Sequence, residues 1–146
     1  MKLLEGKVAI VTGAARGIGK AIALKFAAEG ANIAFTDLVI DENGLATQKE
    51  IEALGVKAKG YASNAADFAQ TEEVVKQVKE DFGSIDILVN NAGLMKRVPM
   101  TEMSHADFMR VIDVHVGGAF NCSKAVLPDM MEKREGKIIN ICSMMS

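Results

Sequence analysis

The sequence has few cysteines, no long apolar run and no excess of either charge, and each shortage narrows the possible functions. Cys122 and Cys142 are its only cysteines, and their spacing matches no metal site or disulfide framework. The longest apolar runs have the length of a strand, well below the roughly 18 residues that cross a bilayer. The net charge is -2, so no basic excess is available for nucleic acid or an anionic membrane. We therefore predict a cytoplasmic protein with no metal, nucleic-acid or membrane partner.

Short β-branched runs alternate with longer amphipathic segments along the whole chain, which indicates a βα repeat. The strand-like runs are apolar at consecutive positions, as expected of strands that helices cover on both faces. The predicted strands are 7–12, 32–36, 57–61, 85–89 and 137–142, and the predicted helices are 17–29, 42–54, 68–82 and 106–132. We expect residues 1–146 to form a single α/β domain, a three-layer, doubly wound parallel sheet of strand order 3-2-1-4-5.

A glycine-rich turn, VAIVTGAARGIGKAIA, joins the first predicted strand to the first predicted helix. Gly13 permits a tight turn, Gly17 lets a pyrophosphate approach the backbone, and Gly19 lets the helix pack closely on the strand. The free amides and the dipole at the start of a helix favour phosphate. Because a strand precedes the turn and a helix follows it, we predict a dinucleotide-binding domain. The alternative is a purely structural glycine turn.

Asp37 ends the second predicted strand, in AFTDL. A carboxylate at this place can accept both hydrogen bonds of an adenosine ribose diol. It also repels a 2′-phosphate, since two unit charges about 4 Å apart interact by about 4 kcal/mol at an effective dielectric of about 20. The sequence therefore favours NAD. Arg16 keeps NADP open as the alternative, because its guanidinium can either pair with a 2′-phosphate or stay solvated.

The stretch DILVNNAG is a predicted buried strand that runs into two asparagines and a small-residue turn. Amide side chains such as that of Asn91 can tie neighbouring strands together where the hydrogen-bond ladder ends. Ala92 and Gly93 are small enough for a cofactor to lie against them. An asparagine pair before a glycine is by itself only a turn signal.

In order along the whole chain, TGAARGIG, Asp37, YASNAAD, NNAG and IINICS resemble the motifs of the short-chain dehydrogenase/reductase family. The resemblance implies a Rossmann fold and an NAD(P)-dependent oxidoreductase that interconverts a secondary alcohol and a ketone. It also implies a homo-oligomer, either a dimer or a tetramer. The cofactor-site residues that it implies are Thr12, Gly13, Arg16, Ile18, Asp37, Asn64, Asn91 and Gly93, to which the motifs above add Gly17, Gly19 and Ala92.

The catalytic residues are only partly represented in the sequence. The resemblance implies that Ser143 holds the substrate carbonyl or hydroxyl. His115 stands where the family has an asparagine that relays protons through water; it can hydrogen bond there and add a titratable step, or it is a satisfied, partly buried side chain. The family's catalytic tyrosine and lysine would follow Ser143, but the sequence contains no Y-x-x-x-K and its only tyrosine is Tyr61. We therefore expect a chain truncated after the fifth strand and catalytically incomplete.

Different parts of the chain resemble enzymes that act on different small-molecule substrates. Residues 1–94 resemble bacterial 3-oxoacyl-(acyl-carrier-protein) reductases, whereas LMKRVPMTEMS and GKIINICSMMS resemble gluconate 5-dehydrogenases. We predict a sugar acid, gluconate or its 5-keto form, with a 3-oxoacyl thioester as the alternative. A non-catalytic dinucleotide-binding module is a third possibility. Lys96 and Arg97 can hold a substrate carboxylate or stay solvated. Apolar residues such as Phe108 and Phe120 on the last predicted helix favour an oligomer interface.

Overall fold

One five-stranded parallel sheet forms the centre of the protein in the computed structural model, which describes residues 1–95 and 97–142. The strands are β1 (Val8–Thr12), β2 (Asn32–Asp37), β3 (Ala58–Ala62), β4 (Ile87–Asn90) and β5 (Lys137–Asn140). Their order is β3-β2-β1-β4-β5, and every neighbouring pair is parallel. The predicted fold and strand order are confirmed. β5 ends two residues earlier than predicted.

The helices follow the predicted alternation, with one difference near residue 115. They are α1 (Gly17–Ala28), α2 (Glu42–Glu52), α3 (Phe68–Phe82), α4 (His105–Ile112) and α5 (Gly118–Lys133). The sequence predicts one continuous helix over 106–132, but a π turn, Asp113–Gly117, separates α4 from α5. Two β-branched valines and Gly117 in this turn, and Gly118 directly after it, have weak α-helical propensity, which favours a local change of winding. None of the helices described is long and apolar enough to cross a membrane.

Apolar side chains pack on both faces of the sheet and make three layers. β1 shows the alternation: Ala9 and Val11 belong to one core cluster and Ile10 to the other. The first cluster packs against α1 and α2, and the second against α3 and α5. Phe35 and Leu88 are fully buried on opposite faces. Because helices cover both faces, the strands are apolar at consecutive positions.

Charged side chains at the amino ends of β1 and β4 fasten these strands to α3 and α5. Lys133 Nζ lies 3.0 Å from Asp86 Oδ1 and 3.4 Å from Asp129 Oδ2. Asp129 Oδ1 also pairs with Lys79 at 2.9 Å, and Asp86 Oδ2 accepts a hydrogen bond from Val8 N at 2.9 Å. Burial disfavours the charged form of Asp86, but the Val8 N–H and the Lys133 ammonium outweigh it and lower the pKa of Asp86.

We expect Asp86→Asn to lower the free energy of unfolding at neutral pH by about 1 to 3 kcal/mol, because Lys133 loses the nearer of its two carboxylate partners and keeps only Asp129. The carboxylate stabilises the fold above its ordinary pKa of 3.8. This stabilisation is lost as the pH falls through the lower pKa of the folded state. In urea denaturation the wild type should therefore lose stability more steeply than the variant below about pH 4. Glu72→Gln removes an exposed carboxylate of α3 as the charge-matched control; equal slopes in all three proteins would contradict this account.

Candidate functional site

The glycine turn after β1 lies at the carboxyl edge of the sheet, beside the ends of β2 and β4. Gly13 has a φ of +65° and Gly17 a φ of +66°, in the left-handed region that favours glycine. A Cβ on Gly13 would lie 2.9 Å from Ala92 Cα, so only glycine lets the turn pass so close to the segment after β4. A Cβ on Gly17 would meet nothing within 4 Å. Gly17 therefore faces open space at the start of α1.

Gly19 brings the first turn of α1 against the glycine turn. A Cβ there would lie 2.5 Å from both Gly13 O and Asn91 Nδ2. Gly19 therefore lets α1 pass close to the glycine turn and to the segment after β4.

The start of α1 differs from the starts of α2, α3 and α4. Side chains of Asp41, Asp67 and Ser104 accept hydrogen bonds from first-turn amides of those three helices. α1 begins after Arg16 with no side-chain cap and no acidic residue in its first turn. Its first amides and its positive dipole end are left available to an anion.

Thr12 and Asn91 hold the ends of β1 and β4 together. Thr12 Oγ1 accepts hydrogen bonds from Asn91 N at 3.0 Å and Ala92 N at 2.8 Å. Asn91 Nδ2 donates to Thr12 O at 3.1 Å and to Gly13 O at 3.2 Å. The predicted tie between strand ends is confirmed. Thr12 is buried, so it positions the turn rather than lining the cleft described below.

Asp37 ends β2 beside the same turn. Its Oδ2 accepts a hydrogen bond from Ala15 N at 3.2 Å, and its Oδ1 accepts one from Leu38 N at 3.0 Å. These two bonds fix the carboxylate, while each oxygen keeps a further acceptor position. Asp37 can therefore take two more hydrogen-bond donors without leaving its place.

A cleft of about 320 Å³ opens between these strand ends and α4. Of the predicted cofactor residues, those that line it are Gly13, Asp37, Asn64, Ala92 and Gly93. Further lining residues that the sequence did not predict include Leu38 and Ser63 after the strands, and Met109, Arg110, Asp113 and Val114 on the helical wall. Spacings of three and four residues put the last set on one helical face, a signal that was present in the sequence.

Asn64 lies in the loop after β3, at the floor of the cleft. Its Oδ1 accepts a hydrogen bond from Ala66 N at 3.0 Å, and its own backbone N donates to Gln70 Oε1 at 3.0 Å. These bonds hold the loop in an Asx turn.

Arg16 and Ile18 flank Gly17 on the exposed surface of the turn, outside the lining of the cleft. Ser143 and Lys96 lie outside the described residues. Arg97 is exposed, and its Nε donates to Met95 Sδ at 3.0 Å.

His115 lies in the π turn and contacts the segment after β4. Its Nε2 is 3.0 Å from Leu94 N and 2.8 Å from Leu94 O. A Cβ on Gly93 would come within 2.4 Å of the ring. The ring therefore packs against the backbone that lines the cleft.

Tyr61 is buried in the core on the α3 side of the sheet. Its hydroxyl donates a hydrogen bond to Asp81 Oδ2 at 2.6 Å. Burial, and then the bonded Asp81 carboxylate, raise the pKa of Tyr61 far above its ordinary value. Tyr61 is therefore a structural residue and not a proton donor to the cleft.

A family model described as short chain dehydrogenase matches residues 7–146. The chain is 41% identical over 143 residues to a 2-dehydro-3-deoxy-D-gluconate 5-dehydrogenase of Formosa agariphila, covering 98% of this chain and 54% of that protein. It is 44% identical over 140 residues to a 3-oxoacyl-(acyl-carrier-protein) reductase of Thermotoga maritima, covering 96% and 56% respectively. The chain thus spans about half the length of the curated relatives it matches.

Solved structures give the same picture. The crystal structure of a 2-keto-3-deoxy-D-gluconate dehydrogenase from Streptococcus agalactiae superposes with a TM-score of 0.84 at 52% identity, over 98% of this chain and 53% of that one. An NAD+-bound xylitol dehydrogenase superposes with a TM-score of 0.93 at 38% identity, over 98% and 55%.

Proposed function

Because the chain belongs to the short chain dehydrogenase family, we propose that its glycine turn and cleft hold a nicotinamide dinucleotide for the interconversion of a secondary alcohol and a ketone. One observation carries the proposal: the uncapped start of α1 lies beside the fixed carboxylate of Asp37. When bound, the cofactor supplies the hydride acceptor or donor.

The residues present fit such a cofactor. Gly17 leaves open space where a diphosphate would meet the first amides of α1. Asp37 keeps acceptor positions for a ribose diol, and Ala92 and Gly93 give the cleft a wall of small side chains. In this proposal Thr12, Gly19 and Asn91 hold the turn, and Asn64 forms the floor.

NAD is the cofactor we propose, and NADP is the alternative. The carboxylate of Asp37 disfavours a 2′-phosphate, and a similar structure is described as NAD+-bound. The exposed guanidinium of Arg16, next to Gly17, favours NADP, since a guanidinium pairs well with phosphate.

A sugar acid is the substrate class we propose, because one relative and one solved structure are named for dehydrogenases of a keto-deoxy-gluconate. The second candidate is a 3-oxoacyl thioester, for which the Thermotoga relative is named. In both cases we assign Ser143 to the substrate oxygen and His115 to a hydrogen-bonding role beside the cleft. A third candidate is a binding module without catalysis.

Titration of the 146-residue chain with NADH and NADPH, followed by turnover assays, tests these proposals. We expect NADH to bind more tightly than NADPH. Assays of the full-length protein with 5-ketogluconate and with an acetoacetyl thioester then separate the two substrate classes, since the 146 residues alone are expected to be catalytically incomplete. NADH binding without turnover of either substrate would favour the binding module, and no binding of either dinucleotide would refute the proposed site.

A homo-oligomer is part of the proposal. Large apolar side chains remain exposed along α4, the π turn and α5: Phe108, Val116 and Phe120 are 51%, 62% and 62% exposed. Exposed apolar patches on one surface favour association. Sedimentation should show a dimer or tetramer, and a stable monomer at micromolar concentration would contradict this.

A reducing, cytoplasmic location is also proposed. Cys122 and Cys142 are both free thiols, as is usual in the cytosol. Burial raises the pKa of Cys122 to about 11, so this thiol is poorly reactive.

A further inference from the structure

We propose that His115 is a positioning residue whose protonation reverses its hydrogen bond to Leu94 and thereby changes the wall of the cofactor cleft. The consequence of this reversal for cofactor binding rests on the proposed function. The reversal itself depends only on the contacts between His115 and the backbone.

A single ring nitrogen lies within reach of two opposite backbone groups. His115 Nε2 is 3.0 Å from the Leu94 nitrogen, which is a donor, and 2.8 Å from the Leu94 oxygen, which is an acceptor. A ring nitrogen without a proton only accepts, and one with a proton only donates. His115 can therefore serve only one of the two Leu94 groups at a time.

The ring is held in this place from two sides. The π turn places residue 115 opposite the segment after β4. Gly93 leaves room for the ring, since a Cβ there would lie 2.4 Å from Cε1 and 2.9 Å from Nε2. His115 is exposed to solvent, and the contact of its ring with the Gly93–Leu94 backbone keeps Nε2 within reach of both Leu94 groups.

The protonation state of His115 decides which Leu94 group forms a hydrogen bond with Nε2. In the neutral ring we assign the proton to Nδ1, so that Nε2 accepts the Leu94 N–H. In the charged ring both nitrogens carry protons, and Nε2 donates to Leu94 O. The Leu94 N–H then loses its partner. Histidine is the side-chain type that ordinarily makes this change between pH 5 and 8.

The backbone segment after β4 that responds to this reversal is part of the cleft wall. Gly93 and Leu94 both line it, opposite Asp37. The charged groups that face this region are Arg110 and Asp113 on the helical wall and Asp37 at the end of β2, among the residues described. A shift of the Leu94 peptide group therefore moves the cleft wall on which we propose that the cofactor lies.

Nitrogen-15 and proton NMR of the 146-residue chain between pH 5 and 8 tests the reversal without any cofactor. We expect the Leu94 amide resonance to shift with the same midpoint as the His115 ring, and to stay constant in His115→Asn. His105→Asn is the matched control, because the other histidine starts α4 and does not line the cleft. A Leu94 amide that does not titrate, or that titrates in His115→Asn, would overturn the proposal.

The dependence of NADH affinity on pH tests the link to the cleft. We expect affinity to change by about threefold to tenfold between pH 5.5 and 8 in the wild type and in His105→Asn, since one backbone hydrogen bond is exchanged. His115→Asn should bind NADH with a nearly constant affinity. The same pH profile in all three proteins would overturn the link, whereas loss of NADH binding at every pH in the wild type would refute the proposed function instead.

Discussion

Gly19→Ala is expected to lower the free energy of unfolding by about 2 to 4 kcal/mol and to abolish NADH binding. The new Cβ would lie 2.5 Å from Gly13 O, a backbone atom in the turn, and 2.5 Å from Asn91 Nδ2. Neither group can move without disturbing its neighbours. Gly13 lies so close to the segment after β4 that a Cβ on it would be 2.9 Å from Ala92 Cα, and Asn91 donates to two backbone oxygens. Relief of the clash therefore requires α1 to move away from β1.

Gly117→Ala is the matched control, because it makes the same chemical change at a helical glycine where a Cβ meets nothing within 4 Å. We expect its free energy of unfolding to change by no more than about 1 kcal/mol, the usual difference in helix propensity. Urea denaturation and NADH titration of both variants measure the contrast. Equal stability and equal affinity of Gly19→Ala and the wild type would show that the turn is not packed as described.

Asp37→Ala is expected to weaken NADH binding by about 10- to 100-fold, since hydrogen bonds to a charged group each contribute about 1.5 to 3 kcal/mol. NADPH binding should improve in the same variant because the repulsion of a 2′-phosphate is removed. Asp37→Asn keeps one of the two oxygen acceptors, which suffices for either Ala15 N or Leu38 N but not for both, and should lose only part of the NADH affinity. The ratio of the two dissociation constants is the quantity to measure.

Asp41→Ala controls for the loss of a nearby carboxylate. Asp41 caps α2 through hydrogen bonds from Asn43 N and Gly44 N and is not among the cleft residues. Its removal should cost about 1 kcal/mol of stability and leave the preference between NADH and NADPH unchanged. If Asp41→Ala changed the preference as much as Asp37→Ala, general electrostatics and not the place of Asp37 would be responsible.

Much of the fold could be predicted from the sequence because its signals are local. The apolar runs marked the strands, and Gly13 and Gly19 marked the turn that the structure confirms. Asp41 and Asp67 also cap helices that begin within a residue of their predicted starts. The π turn was not predicted because the apolar residues before it and after it each keep a helical spacing. The one extra residue in the turn only rotates the later side chains about the helix axis relative to the earlier ones.

The helical wall of the cleft was missed for a different reason. Met109, Arg110 and Val114 reach the cleft only because the α4 segment lies across it from the ends of β2, β3 and β4, and this juxtaposition depends on the tertiary structure. The place of His115 against Gly93 likewise follows from the π turn. Residues next to the motifs could be assigned from the chain alone, whereas those brought in from a distant helix required the structure.

Chemical-shift mapping of the 146-residue chain with ADP-ribose decides whether the glycine turn and Asp37 bind a dinucleotide, because this ligand carries the diphosphate and the adenosine ribose without the nicotinamide ring. We expect the largest changes on the amides of Gly17, Ile18 and Gly19 and on the backbone around Asp37. Changes confined to the open groove along β3 and α3, between Lys59 and Gln77, or no change at all, would contradict it.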